Sequence, residues 1–196
     1  MAEYIFILVS AIFVNNFVLA RFLGICPFLG VSKKTETALG MGAAVIFVMF
    51  FASLATHSLY NYVLEPYGVS YLRTIVFILV IASLVQIIET ILKKISPVLY
   101  NALGIYLPLI TTNCAILGVA ILNIDLKYSL LKSLVFAIGS GIGFTIALLL
   151  MSGIRERLDT ADVPESFKGV PIALVTAGLL SVSFLGFSGL FVSFIK

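Results

Sequence analysis

The sequence predicts an all-α integral membrane protein: six transmembrane helices arranged as two inverted three-helix repeats, with helices one and four broken near cysteines. Three observations carry this. The 196-residue chain is 61% hydrophobic and only 11% charged, whereas a soluble domain carries about 25% charged residues. Six stretches approach the roughly 20 mostly apolar residues that cross a bilayer. The string Cys-x-x-Leu-Gly-Val occurs twice, at residues 26–31 and 114–119, an offset close to half the chain.

The first span is predicted over about Tyr4 to Leu29 and is interrupted. Spans two and three are expected over about Ala38 to Tyr60 and Tyr71 to Leu92. The fourth, about Val98 to Leu122, is also interrupted, and the fifth and sixth run over about Tyr128 to Met151 and Val170 to Ile195. All six belong to one membrane domain, residues 1–196, with a repeat boundary near 97/98. The N-terminal MAEYIFILV lacks the positive n-region and small-residue cleavage site of a signal peptide. The net charge of +3, without a basic patch, points away from nucleic acid.

With six crossings, loops 1–2, 3–4 and 5–6 share one side. They carry Lys33, Lys34, Lys93, Lys94, Arg155, Arg157 and Lys168, against Arg73, Lys127, Lys132 and Lys196 on the other. The positive-inside rule makes the first side cytoplasmic and both termini external. Loop 5–6, IRERLDTADVPESFKG, is the longest polar stretch, a solvated connection or a docking surface for a cytoplasmic partner. Gly139, Gly141 and Gly143 in span five suit close helix packing.

An odd number of spans per half places the second repeat in the opposite orientation, and matching positions of such repeats meet near the midplane on broken helices. Gly24 and Pro27 flank Cys26; Gly104 and Pro108 precede Cys114, with Thr111, Thr112 and Asn113 between. Proline removes a helix hydrogen bond, and irregular backbone at membrane depth survives only where protein or a cavity satisfies it. Pro27 suits the first position of a new half-helix, and Asn15, Asn16 and Asn113 add polar groups to these spans. A cysteine at such a helix start sits where free N–H groups favour an anion and lower a thiol pKa.

Cys26 and Cys114 are the chain's only cysteines and His57 its only histidine, so it cannot complete a four-ligand Cys/His metal site alone. From the residues, three readings of the thiol pair stand: buried free cysteines acting as small apolar residues, a disulfide, or soft-metal ligation. A two-iron cluster takes four thiolates, so the third reading requires a second chain. Inverted repeats with broken helices also build transporter substrate sites, although midplane charge beside the cysteines is nearly absent. A structural scaffold with inert cysteines is a further reading.

The runs VNNFVLARFLGICPFLGVSKKTETALGMG, SPVLYNALGIYLPLITTNCAILGVAILN, IRERLDTADVPESFKG and ALVTAGLLSVSFLGFSGL resemble the A-subunit family of Rnf (Rsx) electron-transport complexes over essentially the whole chain. The E subunit of the sodium-pumping NADH:quinone reductase is a sibling with similar cysteine repeats. The resemblance implies that Cys26 and Cys114 are two ligands of a [2Fe–2S] cluster shared within the membrane with a homologous, opposite-topology E subunit. It further implies a complex that moves electrons between ferredoxin and NAD, coupled to sodium or proton movement, in a bacterial or archaeal plasma (inner) membrane. Its other partners would be flavin-bearing subunits and a cytoplasmic iron–sulfur subunit, and this chain would relay single electrons without bond-making chemistry.

Other polar residues have plainer expectations. Arg21 offsets cluster charge or snorkels toward an interface. Glu89, near Gln86, is set to pair with Lys93 at i+4. His57 is expected to be interfacial or hydrogen-bonded. Thr112 and Asn113 either donate to cluster sulfurs or satisfy broken backbone.

Overall fold

The computed structural model describes residues 2–95 and 107–188. Within them the chain is helical: α1 Ala2–Val9, α2 Ile25–Val31, α3 Thr35–Leu59, α4 Arg73–Ile95, α5 Leu107–Thr111, α6 Cys114–Asp125, α7 Leu130–Leu158 and α8 Val170–Ser188. No strand occurs among the described residues. Among the described residues five stretches are long and apolar enough to cross a membrane: Thr35–Leu64, Ser70–Ile91, Pro108–Asp125, Leu130–Leu158 and Val170–Phe187. Gly104, the start of span four and the repeat boundary lie outside the described residues, as does the end of span six.

The first segment is not one helix. α1 widens into a π turn over Ser10–Val14, closed by the Asn15 N–H on the Ser10 carbonyl at 2.7 Å. The chain then runs irregularly to Gly24. Asn16 makes this break tolerable. Its Oδ1 accepts the N–H groups of Val18 and Leu19, both at 3.1 Å. Its Nδ2 donates to the carbonyls of Ile12 at 3.2 Å and Gly143 at 2.9 Å. Asparagine competes with the helix for backbone partners, and here a fully buried one satisfies groups that lipid could not. The break thus begins at Asn15 and Asn16, well before the Gly24–Pro27 region, at asparagines and not at a proline. Pro27 is the third residue of α2, not the first as expected. It still costs no helical bond, because the first four N–H groups of a helix have no intrahelical partner.

Although broken, this segment runs the length of α7. Glu3 pairs with Lys132 at one end, and Leu29 and Ser32 receive Arg155 at the other. The same two ends collect the other polar contacts. Arg73 pairs with Asp125 at 2.6 Å beside the start of α7, and Thr35 bonds Glu156 near its finish. α7 continues seven residues beyond the predicted limit, so Arg155 and Arg157 belong to its last turn and not to the loop.

α7 is the central post. Its buried residues include Phe136, Phe144, Ala147, Leu148 and Met151. The three glycines do pack it closely against neighbours. A Cβ on Gly139 would lie 3.1 Å from Ala11 Cβ, and one on Gly143 only 3.0 Å from the Ile12 carbonyl. On the α3 side, a Cβ at Gly141 would meet Ile46 at 2.8 Å. Small residues let backbones approach where lipid gives no hydrophobic drive. α4 and α8 are peripheral, with Ile75, Ile78, Leu79, Leu174, Leu179 and Val182 exposed.

Candidate functional site

Cys114 is the first residue of α6 and Cys26 the second of α2. The two arms meet: the Gly24 N–H donates to Cys114 Sγ at 2.8 Å, joining residues 90 apart in sequence. Both cysteines are free and exposed. Neither is buried within this chain, and no disulfide links them.

Gly24 makes the meeting possible in two ways. It holds φ at 81°, the left-handed region that favours glycine, immediately before α2. A Cβ there would also lie 2.9 Å from the Phe144 ring, 3.0 Å from Asn113 Oδ1 and 3.2 Å from Ala115 Cβ. The backbone therefore approaches the start of α6 closely enough to reach the sulfur.

The Cys114 arm is capped from within. Asn113 has extended backbone (φ −73°, ψ 109°), and its Oδ1 accepts the Ala115 N–H at 3.0 Å. This is an ordinary asparagine N-cap, and it answers the expectation that Asn113 satisfies broken backbone. Asn113 is 4% exposed, and its Nδ2 has no hydrogen-bond partner among the described residues. Thr112 turns back on α5, its hydroxyl donating to the Pro108 carbonyl at 3.2 Å. α6 then buries Ala115, Ile116, Val119, Ala120 and Asn123.

The Cys26 arm is held from outside. α2 has seven residues. At its far end Arg155 Nη1 donates to the Leu29 carbonyl at 2.7 Å and to Ser32 Oγ at 3.0 Å. Thr37 Oγ1 donates to the Val31 carbonyl at 3.2 Å.

The thiols fit one part of a soft-metal site. Each lies in the first turn of a helix, and Cys114 Sγ accepts a hydrogen bond from the Gly24 N–H. No group of three or more His, Cys, Asp or Glu gathers among the described residues. Two thiolates leave a four-thiolate cluster half-ligated.

Other candidate residues lie apart from the thiols in their described contacts. Arg21 is exposed, with Nη2 3.4 Å from Asn15 Oδ1 and its guanidinium 5.8 Å from the Phe17 ring centre. His57 is buried and hydrogen-bonded, Nε2 to Asn61 at 2.9 Å and Nδ1 to Ser133 at 3.4 Å. One turn before it, Ser53 Oγ accepts from Asn123 Nδ2 at 3.2 Å. Gln86 lines a shallow outer groove of α4 with Ser83, Ile87, Thr90 and Ile91. Glu89 is on the same helix, but the side chain of Lys93 lies outside the described residues. Sequence reasoning missed Gly24 as a bridge, Asn16 as the organiser of the break and Arg155 as a contact of the Cys26 arm. The paired asparagines Asn15-Asn16 inside an apolar run were the available signal for the second; nothing local marks the third.

The family described as "Rnf-Nqr subunit, membrane protein" matches residues 4–191. The chain is 60% identical over 186 residues to an Acetobacterium woodii protein, named as the A subunit of a Na(+)-translocating ferredoxin:NAD(+) oxidoreductase complex, covering 95% of this chain and 97% of that one. It is 62% identical over 190 residues to a Syntrophotalea carbinolica protein, named as the A subunit of an ion-translocating oxidoreductase complex, covering 97% and 98%. A Vibrio vulnificus protein of that same name is 54% identical over 190 residues, covering 97% and 99%. With a family match over nearly its whole length and relatives aligned end to end at this identity, the chain belongs to the Rnf-Nqr family of membrane subunits.

Proposed function

We propose that this chain is the electron-relay membrane subunit of an Rnf-type ion-translocating ferredoxin:NAD oxidoreductase. In this reading Cys26 and Cys114 supply two of four thiolates to a [2Fe–2S] cluster, and a homologous E subunit of opposite topology supplies the others. The observation that carries it is the meeting of the two repeated cysteine motifs through the Gly24 N–H and Cys114 Sγ, with both thiols exposed and available to a second chain. Six spans in two inverted repeats, with both termini outside the inner membrane, accord with the cationic end formed by Lys33, Lys34, Arg155 and Arg157. Its redox neighbours would be flavin-bearing subunits and a cytoplasmic iron–sulfur subunit, and its coupled process sodium or proton movement.

The bound cluster would supply one-electron transfer within the bilayer. The chain's own residues hold and tune the thiolates. The Gly24 N–H stabilises negative charge on Cys114 Sγ, as hydrogen bonds to cluster sulfurs do when they set potential. Asn113 fixes the start of α6, and so the Cys114 backbone. The fully buried rings of Phe144 and Phe17 pack behind Gly24 and Gly118, backing both arms with apolar surface.

The test is purification with the homologous partner, followed by iron and acid-labile sulfide analysis and EPR of the reduced sample. Cys26→Ser and Cys114→Ser are each expected to abolish the EPR signal and most of the iron assigned to the shared site. Unchanged iron in both variants would overturn the ligand assignment.

A further inference from the structure

A seven-residue helix has little stability of its own, since isolated helices shorter than about 12–15 residues are marginal. Its last four carbonyls lack intrahelical partners. In α2 one of these belongs to Leu29, three residues after Cys26 and therefore on the same face, one turn along. The half-buried Arg155 guanidinium meets that carbonyl at 2.7 Å and the fully buried Ser32 Oγ at 3.0 Å, from 126 residues away in sequence. A charged donor strengthens such a bond, and a cation suits the negative end of a helix.

The next residue grips the following helix. Glu156 Oε1 accepts the Thr35 N–H at 2.9 Å and its hydroxyl at 2.6 Å. Thr35 Oγ1 also lies 3.2 Å from Ser152 Oγ. The turn over residues 32–34 is thus bracketed on both sides by the last turn of α7, which leads directly into residues 159–169. The Cys114 arm has no equivalent. α6 has twelve residues and its own cap, and none of its described hydrogen bonds comes from residues 152–169.

We propose that Arg155 is the positioning residue for Cys26: through the Leu29 carbonyl and Ser32 it sets the height and rotation of the Cys26 thiol and not those of the Cys114 thiol. The spectroscopic part of this rests on the reading of Cys26 as a cluster ligand; the mechanical part does not.

The experiment compares wild type, Arg155→Gln, Arg155→Lys and Ser32→Ala in the full complex in native membranes. After reduction and iron chelation, maleimide mass tagging gives the labelling rates of Cys26 and Cys114 separately. In Arg155→Gln the Cys26-to-Cys114 rate ratio is expected to rise about fivefold, the population change that one lost hydrogen bond brings. Arg155→Lys, which keeps a charged donor, returns the ratio toward wild type, and Ser32→Ala raises it by less. An unchanged ratio, or equal rises at both cysteines, overturns the proposal. If Arg155→Gln does not insert, Ser32→Ala and Arg155→Lys are judged by the same ratio. In untreated complex, the reduced EPR line shape should shift in Arg155→Gln and recover in Arg155→Lys; a line shape unchanged by Arg155→Gln counts against the proposal. A wild-type complex without a cluster would end the functional reading above, while the labelling ratio would still decide this one.

Discussion

The two cysteine arms share the string Cys-x-x-Leu-Gly-Val, yet the fold holds them by different means. The Cys114 arm is a twelve-residue helix with an asparagine cap and a buried inner face. The Cys26 arm is a seven-residue helix begun by a left-handed glycine and ended by contacts from α7 and α3. Their equivalent glycines differ as well. A Cβ on Gly118 would lie 3.1 Å from Leu23 and 3.2 Å from Phe17, whereas one on Gly30 would meet, among the described residues, only Leu109, at 3.8 Å. A repeated phrase can therefore be carried by one self-supporting arm and one borrowed arm. The difference teaches that repeat identity constrains what arrives at the site, and non-local contacts constrain how firmly it is held.

The substitution with the largest expected effect breaks the junction itself. Gly24→Ala forces a side chain into φ 81° and against Phe144 and Asn113. Strain and overpacking together should cost about 3 kcal/mol, seen as a lowered Tm of the purified complex and loss of the Cys114 sulfur contact. A Tm equal to wild type would mean that the arms do not meet through this glycine.

A sharper comparison uses the paired glycines. Gly118→Ala is expected to destabilise by about 1–2 kcal/mol, because Phe17 is fully buried and cannot withdraw freely. Gly30→Ala should stay within about 0.5 kcal/mol of wild type. Equal effects in thermal denaturation would erase the distinction between a packed and a free arm.

A smaller effect addresses the cap. Asn113→Ala removes the acceptor for the Ala115 N–H and should cost about 1 kcal/mol, with Asn113→Asp retaining most of the stability. Thermal denaturation of both variants checks the cap directly, and an Ala variant as stable as wild type would mean that the cap contributes nothing measurable.

Much of this molecule is readable from residue order. The long apolar runs predict α3, α4, α7 and α8 to within a few residues at most ends, and the two repeated motifs do touch, through the Gly24 N–H and Cys114 Sγ. The glycines of α7 pack as their spacing suggested, and the lone histidine is hydrogen-bonded. The errors have one source. Pro27 looked like the first residue of a half-helix because proline is the strongest local punctuation, but Asn16 had already ended the helix by binding the Gly143 carbonyl 127 residues away. Arg155 looked like a loop charge because its role depends on a carbonyl 126 residues earlier. No window of sequence contains such pairs.

Residue order by itself determined a helical membrane protein with two thiols in repeated settings, since hydrocarbon tolerates only backbones that satisfy their own hydrogen bonds over about 20 apolar residues. The tertiary structure decided which distant groups satisfy the backbone where those helices break: Asn16 on Gly143, Gly24 on Cys114 and Arg155 on Leu29. The physical reason is that a freed N–H or carbonyl at membrane depth must find a partner, and packing, not sequence proximity, determines which one comes within about 3 Å.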